Sequence, residues 1–285
     1  MDTSITGQTQ LYTLVGCPVS HSISPVIQNS IFAEKQLNSK YITLKIMPEK
    51  LRESVAILRD NFKGFNVTIP HKQTIMEYLD VIDTKALLCG AVNTVKNEEG
   101  RLIGFSTDGY GFMKAFECLN IDITHKDILL IGAGGAARAV LCELLQNHCR
   151  VTIFNRTLSK AKLLQEELSD HFPGPLTVIN EWDQLQAHYD CLVNSTPIGM
   201  YPHIDKSPIA EQYLSRFDIV YDLVYNPHQT KLLIDAKRYG CTIINGLPML
   251  FYQAVEANRI WTGSSLAEQK GQEIYEGTVQ YLRNL

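Results

Sequence analysis

The sequence predicts an α/β protein with two domains, each built around a mostly parallel sheet. Two observations support this prediction. Short apolar runs alternate with amphipathic stretches along almost the whole chain, which is the pattern of repeated βα units. The chain has 285 residues, which is long for one hydrophobic core and comfortable for two, and the polar segment 120–126 separates two alternating series.

The first series predicts strands and helices in alternation. Strands are expected at residues 11–16, 41–46 and 64–68, and helices from residue 24 and at 51–59. Residues 91–95 and 101–104 are expected to form a hairpin, because Asn97-Glu-Glu-Gly100 between them is typical of a turn. A helix near residues 108–118 closes the series. We therefore assign residues 1–119 to the first domain.

The second series predicts a larger sheet. Six strands are expected, at residues 128–131, 151–154, 176–179, 191–194, 218–222 and 242–244, with helices between them. This pattern is typical of the doubly wound, Rossmann-type sheet, so residues 120–246 are assigned to a second domain. The stretches 250–260 and 268–285 are helical in period but have no strand of their own to cover. Residues 247–285 are therefore expected to return to the first domain as C-terminal helices.

Composition excludes several classes of protein. The net charge is −4 with both signs mixed along the chain, so neither nucleic acid nor an anionic membrane is expected as a partner. No signal peptide or apolar membrane span is visible, which predicts a cytoplasmic protein. The seven cysteines are scattered, without Cys-x-x-Cys spacing, so they are expected to be reduced thiols and no metal site is expected.

A glycine turn follows the first strand of the second domain. Apolar residues 128–131 lead directly into Gly132-Ala-Gly-Gly-Ala-Ala137, and a helix is expected from there. Gly132 allows a tight turn, Gly134 lets the backbone approach a pyrophosphate, and Ala137 lets the helix pack closely on the strand. The N-terminus of that helix favours an anion. This layout predicts a dinucleotide site.

The end of the next strand indicates which dinucleotide. An NAD site places an acidic residue there to bind the ribose 2′-hydroxyl, but this chain has Asn155-Arg156-Thr157. The guanidinium of Arg156 suits a 2′-phosphate, because it pairs with phosphate oxygens in a planar fork. NADP is therefore the expected cofactor. The alternative is a plain strand-to-helix turn followed by a solvated helix start.

Polar side chains also cluster where strands of the first domain end, the place where open α/β sheets bind ligands. They are Ser22, Ser24, Asn66, Thr68, Lys72, Asn93 and Asp108, joined by Gln253 on the returning helix. Each has a structural alternative: Ser24 and Asp108 as helix caps, Lys72 as a solvated lysine, and Asn93 as a turn residue. Their joint occurrence favours a small, polyhydroxylated, anionic substrate.

At this point the chain resembles the shikimate dehydrogenase family. The resemblance is carried by motifs that span nearly the whole chain in the family's order. They are Ser20-His-Ser-Ile-Ser-Pro25, Asn66-Val-Thr-Ile-Pro-His-Lys72, Ala91-Val-Asn-Thr94, Ser106-Thr-Asp-Gly109, the Gly132–Ala137 turn, Asn155-Arg-Thr157, Asn194-Ser-Thr-Pro-Ile-Gly-Met200 and Tyr225-Asn-Pro227.

The resemblance implies a reversible, NADP-linked reduction of 3-dehydroshikimate to shikimate in aromatic amino-acid biosynthesis, by a monomer or homodimer. It implies that Ser22 and Ser24 bind the substrate carboxylate with Tyr225 nearby, and that Lys72 and Asp108 form the catalytic pair. The ring hydroxyls would be held by Asn66, Thr68, Asn93 and Gln253. The cofactor would be held by Gly132, Gly134, Gly135, Ala136, Asn155, Arg156, Thr157, Lys160 and Gly246.

Two residues depart from the family pattern. Ser106 stands where asparagine is common before Thr-Asp-Gly, which puts the hydrogen bonds that support Asp108 in doubt. Lys160 stands where many NADP-specific members carry a second arginine. An ammonium is a point charge and not a fork, so Lys160 predicts a looser grip on the 2′-phosphate.

The chemistry itself also favours Lys72 and Asp108. Hydride transfer to a ketone leaves an alkoxide that must be protonated, and an ammonium both stabilises that charge and donates a proton. A neighbouring carboxylate would keep the lysine pKa high, so Asp108 is expected mainly to orient Lys72 and to accept a substrate hydroxyl. The sequence leaves open which of the two carries the proton.

Three other interpretations remain open. The first is a quinate/shikimate dehydrogenase that uses both NAD and NADP. The second is a redox-sensing, NADP-binding regulator without catalysis, although such a protein has no need of Lys72 and Asp108. The third is a different two-domain dehydrogenase, such as the methylene-tetrahydrofolate type, which leaves the Ser-His-Ser-x-Ser-Pro turn unexplained.

Overall fold

The computed structural model describes residues 5–172 and 174–284. The chain divides into two compact units, one made of the residues up to Thr107 together with those from Gln253 onward, the other of Asp108–Tyr252. Within the described residues, each unit contains one six-stranded sheet. No helix among these residues has both the length and the apolar character needed to cross a membrane.

The first unit follows the βα alternation of the sequence. Its elements are β1 (Gln10–Gly16), α1 (Ser24–Glu34), β2 (Ser39–Lys45), α2 (Leu51–Asn61), β3 (Gly64–Val67), β4 (Val81–Ile82), α3 (Thr84–Cys89), β5 (Thr94–Glu98) and β6 (Arg101–Phe105). The strand order is β2-β1-β3-β5-β6-β4. β1 pairs in parallel with β2 and β3, and the β5–β6 hairpin joins antiparallel to β3. The ends of β1 and β3 therefore lie beside the start of β5.

The side chains of β1 alternately pack into two apolar layers, one on each face of this sheet. Val15 packs with α2 residues such as Leu51 and Leu58, while Tyr12 and Leu14 pack on the other face. Side chains of a strand alternate between faces, so a strand covered on both sides is apolar at nearly every position. This explains the continuous apolar run that predicts β1.

The C-terminal helices belong largely to the first unit. α8 (Leu247–Thr262) enters it at Gln253, and α9 (Glu268–Arg283) packs against α1. Trp261 of α8 lies on β3 and donates a hydrogen bond of 2.9 Å from Nε1 to the Val95 carbonyl. A Cβ at Gly64 would lie 2.5 Å from that Nε1 atom. Glycine is required at this position because the indole occupies the space of a side chain.

The second unit contains a fully parallel sheet. After α4 (Asp108–Glu117) come β7 (Asp127–Ile131), α5 (Gly135–Gln146), β8 (Arg150–Phe154), α6 (Leu158–Ser169), β9 (Leu176–Ile179), β10 (Tyr189–Asn194), β11 (Phe217–Asp222), α7 (Lys231–Arg238) and β12 (Thr242–Ile244). The strand order is β12-β11-β10-β7-β8-β9. From the β9 edge this is the doubly wound order, which reverses between β7 and β10.

The expected fold class is confirmed: both sheets are mostly or fully parallel, and the second is doubly wound. The strands lie within two residues of their expected positions except β5, which was expected at 91–95 and lies three residues later, at Thr94–Glu98, and β4 and α3 have no counterpart in the sequence prediction. The structure groups α4 with the second unit, whereas the sequence interpretation ends the first domain at residue 119. α4 packs against α5, and its Phe112 stacks on Tyr221 of β11 with ring centroids 5.1 Å apart.

Candidate active site

In the first unit, two serine hydroxyls meet at the start of α1. Ser22 Oγ donates to Ser24 Oγ over 3.1 Å and accepts from the Ser24 backbone N–H over 3.2 Å. The N-cap of α1 is Ile23 and Ser24 is the first helical residue, so the interpretation of Ser24 as a simple N-cap is wrong. The dipole of α1 favours an anion beside these hydroxyls.

A buried amide network occupies the adjoining ends of β3 and β5. Asn66 Oδ1 accepts from the Tyr41 hydroxyl over 2.8 Å, and Asn66 Nδ2 donates to the Asn93 carbonyl over 3.1 Å and to Thr94 Oγ1 over 3.0 Å. An amide NH₂ has two hydrogens, and both are used here. Asn66 therefore has only carbonyl lone-pair capacity to offer a ligand, which suits a hydroxyl that donates.

Asn93 extends this network to the residue before Asp108. Its Oδ1 accepts from the Thr107 backbone N–H over 2.7 Å, and its Nδ2 donates to Thr107 Oγ1 over 3.0 Å and to Gln253 Oε1 over 3.3 Å. Asn93 and Gln253 are 3% and 7% exposed. Asn93 is therefore committed to fixing Thr107 and Gln253, which is more than the turn residue considered as an alternative.

The backbone of Lys72 is held by the same segment of chain. Lys72 follows β3, and its carbonyl accepts from the Val92 N–H over 2.9 Å. Its side chain is half-buried. Asp108 is 8% exposed and begins α4, directly after Thr107. Asn93 thus anchors the approach to Asp108 from the first unit, a support that does not depend on an asparagine at position 106.

Thr68 also lies at this edge, one residue after β3, and is half-buried. A Cβ at Gly16, the last residue of β1, would lie 2.3 Å from Thr68 Cγ2. The absence of a side chain at Gly16 therefore lets Thr68 sit directly over the end of β1. This places Thr68 at the edge that carries Ser22 and Asn66.

In the second unit, the glycine turn has the expected form. Gly132 follows β7 with φ +113°, and a Cβ there would lie 2.4 Å from Ser195 Oγ. Gly134 is exposed, and a Cβ there would meet nothing within 4 Å, so the space above it is open. Gly135 and Ala136 form the first turn of α5, whose N–H groups face that space. The turn fits a pyrophosphate.

The end of β8 carries exposed cations at the N-terminus of α6. Asn155 Nδ2 donates to the Thr157 carbonyl over 2.8 Å, which shapes the turn. Arg156 and Lys160 are exposed, and Thr157 precedes the first residue of α6 without a capping hydrogen bond. Two cations and a free helix N-terminus fit a phosphate group, and the described part of this turn contains no acidic residue.

Two further expected residues lie at the carboxyl edge beyond β11 and β12. Burial raises the pKa of the Tyr225 hydroxyl above its usual value, so the group stays protonated and able to donate near neutral pH. Gly246 is buried, and a Cβ there would lie 2.0 Å from the Leu223 carbonyl oxygen. Residue 246 is therefore restricted to glycine by the backbone of the preceding loop.

The sequence does not identify the residues whose hydrogen bonds position the expected site residues. Tyr41, Thr94 and Thr107 support Asn66 and Asn93, yet none was assigned a role. Thr94 and Thr107 stand inside the quoted motifs, so their position was a usable signal. Tyr41 stands in an apolar strand pattern, and nothing local distinguishes its hydroxyl from that of a core tyrosine.

Among the described residues, one group has metal-ligand spacing: His188, Asp190 and Asp218, whose ligand atoms lie within 4.8 Å of one another. These residues stand at the amino ends of β10 and β11, the edge opposite the glycine turn. Asp190 already binds Lys126 over 3.1 Å and accepts from the Asp127 N–H over 2.8 Å. This group is not part of the candidate active site.

The first unit has strand ends lined with hydroxyls and amides, and the second is a doubly wound sheet with a glycine turn that fits a pyrophosphate. Together these features define a two-unit α/β nucleotide-dependent oxidoreductase. The family model described as the shikimate dehydrogenase substrate binding domain matches residues 14–95. The model described as shikimate / quinate 5-dehydrogenase matches residues 114–220. The chain belongs to the shikimate dehydrogenase family, which confirms the resemblance found in its sequence.

Individual relatives agree with this assignment. The shikimate dehydrogenase (NADP(+)) of Methanococcus aeolicus is 43% identical over 263 residues, which covers 91% of this chain and 94% of the relative. The shikimate 5-dehydrogenase of Thermus thermophilus, solved with NADP(H) and shikimate, is 33% identical with a TM-score of 0.84, covering 94% and 98% of the two chains. That of Listeria monocytogenes, solved with shikimate and NAD, is 34% identical with a TM-score of 0.86, covering 95% and 97%.

Proposed function

We propose that this chain catalyses the reversible, NADPH-dependent reduction of 3-dehydroshikimate to shikimate. The single observation that carries the proposal is the joined network of Asn66, Asn93 and Gln253, which crosses three separate segments of the first unit. A buried cluster of amides and hydroxyls at strand ends is suited to a small molecule with several hydroxyl groups. The relatives that share this chain's fold and length are named for this activity.

The carboxylate of the substrate is assigned to Ser22 and Ser24. Their hydroxyls stand at the start of an eleven-residue helix, where the helix dipole favours negative charge. Tyr225 is assigned to substrate binding as a neutral hydroxyl donor, and burial raises its pKa further above neutral pH. Asn66, Thr68, Asn93 and Gln253 are assigned to the ring hydroxyls, with Asn66 restricted to the role of acceptor.

The second unit is assigned to NADP, and the residues present fit that cofactor. Gly132, Gly134, Gly135 and Ala136 would hold the pyrophosphate, and Asn155, Arg156, Thr157 and Lys160 the 2′-phosphate, with Gly246 on the nicotinamide side. NADPH, when bound, supplies the hydride. The side chain of Arg156 provides two parallel donors for the phosphate, whereas Lys160 adds a point charge.

Lys72 and Asp108 are assigned to proton transfer and orientation. Reduction of the ketone places negative charge on its oxygen, which an ammonium stabilises and then protonates. The hydrogen bond from the Val92 N–H to the Lys72 carbonyl fixes the backbone of Lys72. The hydrogen bond from the Thr107 N–H to Asn93 Oδ1 fixes the residue that precedes Asp108. Such fixed approaches reduce the conformational freedom lost when substrate binds.

The test is a set of initial rates for wild-type protein with shikimate and with quinate, each with NADP and with NAD. We expect shikimate with NADP to give the highest kcat/KM. Equal or higher efficiency with quinate, or equal efficiency with both cofactors, would replace the proposal by the quinate/shikimate interpretation. Binding of NADP without turnover of either substrate would favour the regulator, and Lys72→Ala serves as the inactive control.

We also propose that the protein works in the cytoplasm as a monomer or homodimer. Within the described part of the chain the cysteines form no disulfide, as is usual in a reducing compartment. Size-exclusion chromatography with light scattering decides between the two assembly states.

A further inference from the structure

Asp222 is a buried carboxylate with a full set of neutral donors. It is the last residue of β11, and it is 0% exposed. Its Oδ1 accepts from Asn194 Nδ2 over 2.9 Å and from the Val224 backbone N–H over 3.1 Å, and its Oδ2 accepts from Thr230 Oγ1 over 2.6 Å. No role in substrate or cofactor contact has been assigned to this residue.

The partners of Asp222 lie at the end of β10 and in the connection between β11 and α7. Asn194 ends β10, and its Oδ1 accepts from the backbone N–H of Thr196 over 3.0 Å and from Thr196 Oγ1 over 2.7 Å. Val224 belongs to the loop after β11, and its carbonyl accepts from the Gly246 N–H over 3.2 Å. The carboxylate therefore connects the ends of β10 and β11 directly, and through Val224 it also reaches the loop that follows β12.

These loops lie on one particular half of the sheet. A doubly wound sheet consists of two mononucleotide-binding halves that meet where the strand order reverses, here between β7 and β10. The half β7–β9 carries the Gly132 turn and Arg156, which fit the pyrophosphate and the 2′-phosphate of the adenosine side. The half β10–β12 is left for the nicotinamide side.

We propose that Asp222 is a positioning residue that holds the loops after β10, β11 and β12 in the arrangement that receives the nicotinamide half of NADP. It acts through Asn194, Val224 and Thr230 and does not touch the cofactor. The inference rests on the proposed function, because it takes NADP as the ligand. It goes beyond that function by separating the support of the nicotinamide half from the support of the adenosine half.

The physical reason is the cost of leaving buried donors unpaired. Asp222→Ala removes the common acceptor of three donors, so each must find another partner by moving its loop. Asp222→Asn is nearly isosteric: its Oδ1 can accept from Asn194 and Val224, and its Nδ2 can donate to the Thr230 hydroxyl, which rotates freely. The asparagine variant therefore preserves the connection between loops, and the alanine variant breaks it.

The experiment compares two ligands by isothermal titration calorimetry. NADP occupies both halves of the sheet, whereas 2′,5′-ADP has the 2′-phosphate and adenosine but no nicotinamide. For Asp222→Ala we expect the Kd of NADP to rise about tenfold or more and the Kd of 2′,5′-ADP to stay within about twofold. Asp222→Asn should restore NADP binding to within about threefold of wild type.

Asp235→Ala is the matched control. Asp235 is another buried aspartate of the second unit, but its partners Lys231 and Arg238 lie on its own helix α7. This variant is expected to lower Tm without changing the ratio of the two Kd values. If Asp222→Ala does not fold, Thr230→Val removes one donor of the network and should show the same selective loss of NADP with a smaller amplitude.

An equal loss of affinity for NADP and 2′,5′-ADP, or no loss of either, would overturn the inference. The same selective loss in Asp235→Ala would also overturn it. Failure of wild-type protein to bind NADP would overturn both the inference and the proposed function. If wild type binds NADP but does not oxidise shikimate, only the proposed function fails, and the ratio of the two Kd values still decides the role of Asp222.

Discussion

The folded protein is expected to lose stability as Asp222 ionises. Burial raises the pKa of this carboxyl from the ordinary value of 3.8 to about 6, and its three hydrogen bonds limit the rise by favouring the ionised form. The folded state therefore holds this proton more tightly than the unfolded chain. The resulting stabilisation is fully present well below about pH 4 and is lost as pH rises through about 6. A difference of about two pKa units, at about 1.4 kcal/mol each, amounts to about 3 kcal/mol.

The assay is urea denaturation over a series of pH values, with the free energy of unfolding extrapolated to zero urea. Asp222→Asn cannot ionise at this position, so the difference between wild type and variant isolates the carboxyl. We expect the free energy of unfolding of wild type, relative to the variant, to fall by about 2.4 kcal/mol between about pH 4 and about pH 7, because part of the effect already lies below pH 4.

A second variant checks the cause of this pH dependence. Thr230→Val removes a hydrogen bond that favours the ionised form, so the pH dependence should move to higher pH. Parallel pH curves for wild type and Asp222→Asn, or a difference that grows with pH, would refute the reasoning.

Four further predictions concern the active site and the core. Arg156→Ala should raise the KM for NADP about tenfold or more and leave the NAD reaction nearly unchanged, measured by initial rates; equal effects on both cofactors would contradict a 2′-phosphate contact. Lys72→Ala should lower kcat by roughly two to four orders of magnitude at unchanged Tm, whereas normal turnover would make Lys72 a surface cation. Ser22→Gly should shift relative kcat/KM towards quinate, whose extra hydroxyl at C1 needs room beside the carboxylate, and an equal loss for both substrates would restrict Ser22 to carboxylate binding. Gly64→Ala should destabilise the first unit by about 1–3 kcal/mol in urea denaturation, because Trp261 fills the space of a side chain; an unchanged midpoint would show that the indole moves at little cost.

Most of the fold follows from signals that are local in the sequence. The six strands of the second unit are predicted because each is a short apolar run between helical stretches, and a buried parallel strand has that composition. β4 and α3 escape prediction because two and six residues are too few to show a period. The grouping of α4 with the second unit depends on its packing against α5 and on the stacking of Phe112 on Tyr221 of β11, which are far apart in the chain.

The candidate site likewise has features that are visible in the sequence and features that depend on the tertiary structure. The Gly132 turn and the cations at positions 156 and 160 are contiguous in sequence, so their chemistry is visible before the structure is known. The capacity of Asn66 to bind a ligand is not visible in the sequence, because it depends on which groups already form hydrogen bonds with its amide. The Tyr41 hydroxyl donates to the amide oxygen of Asn66, and the amide nitrogen donates one hydrogen to Thr94. These two partners are 25 and 28 residues away in the chain.

The sequence by itself determined the two alternating series, the dinucleotide turn and the residue types at the strand ends. These depend on backbone geometry and side-chain chemistry within a few residues, which neighbouring positions encode directly. Only the tertiary structure decided that Asn93 links Thr107 to Gln253, that Trp261 requires Gly64, and that Asp222 joins the end of β10 to the connection between β11 and α7. Hydrogen bonds and packing between distant segments depend on which strands become neighbours, and strand order is a property of the folded sheet.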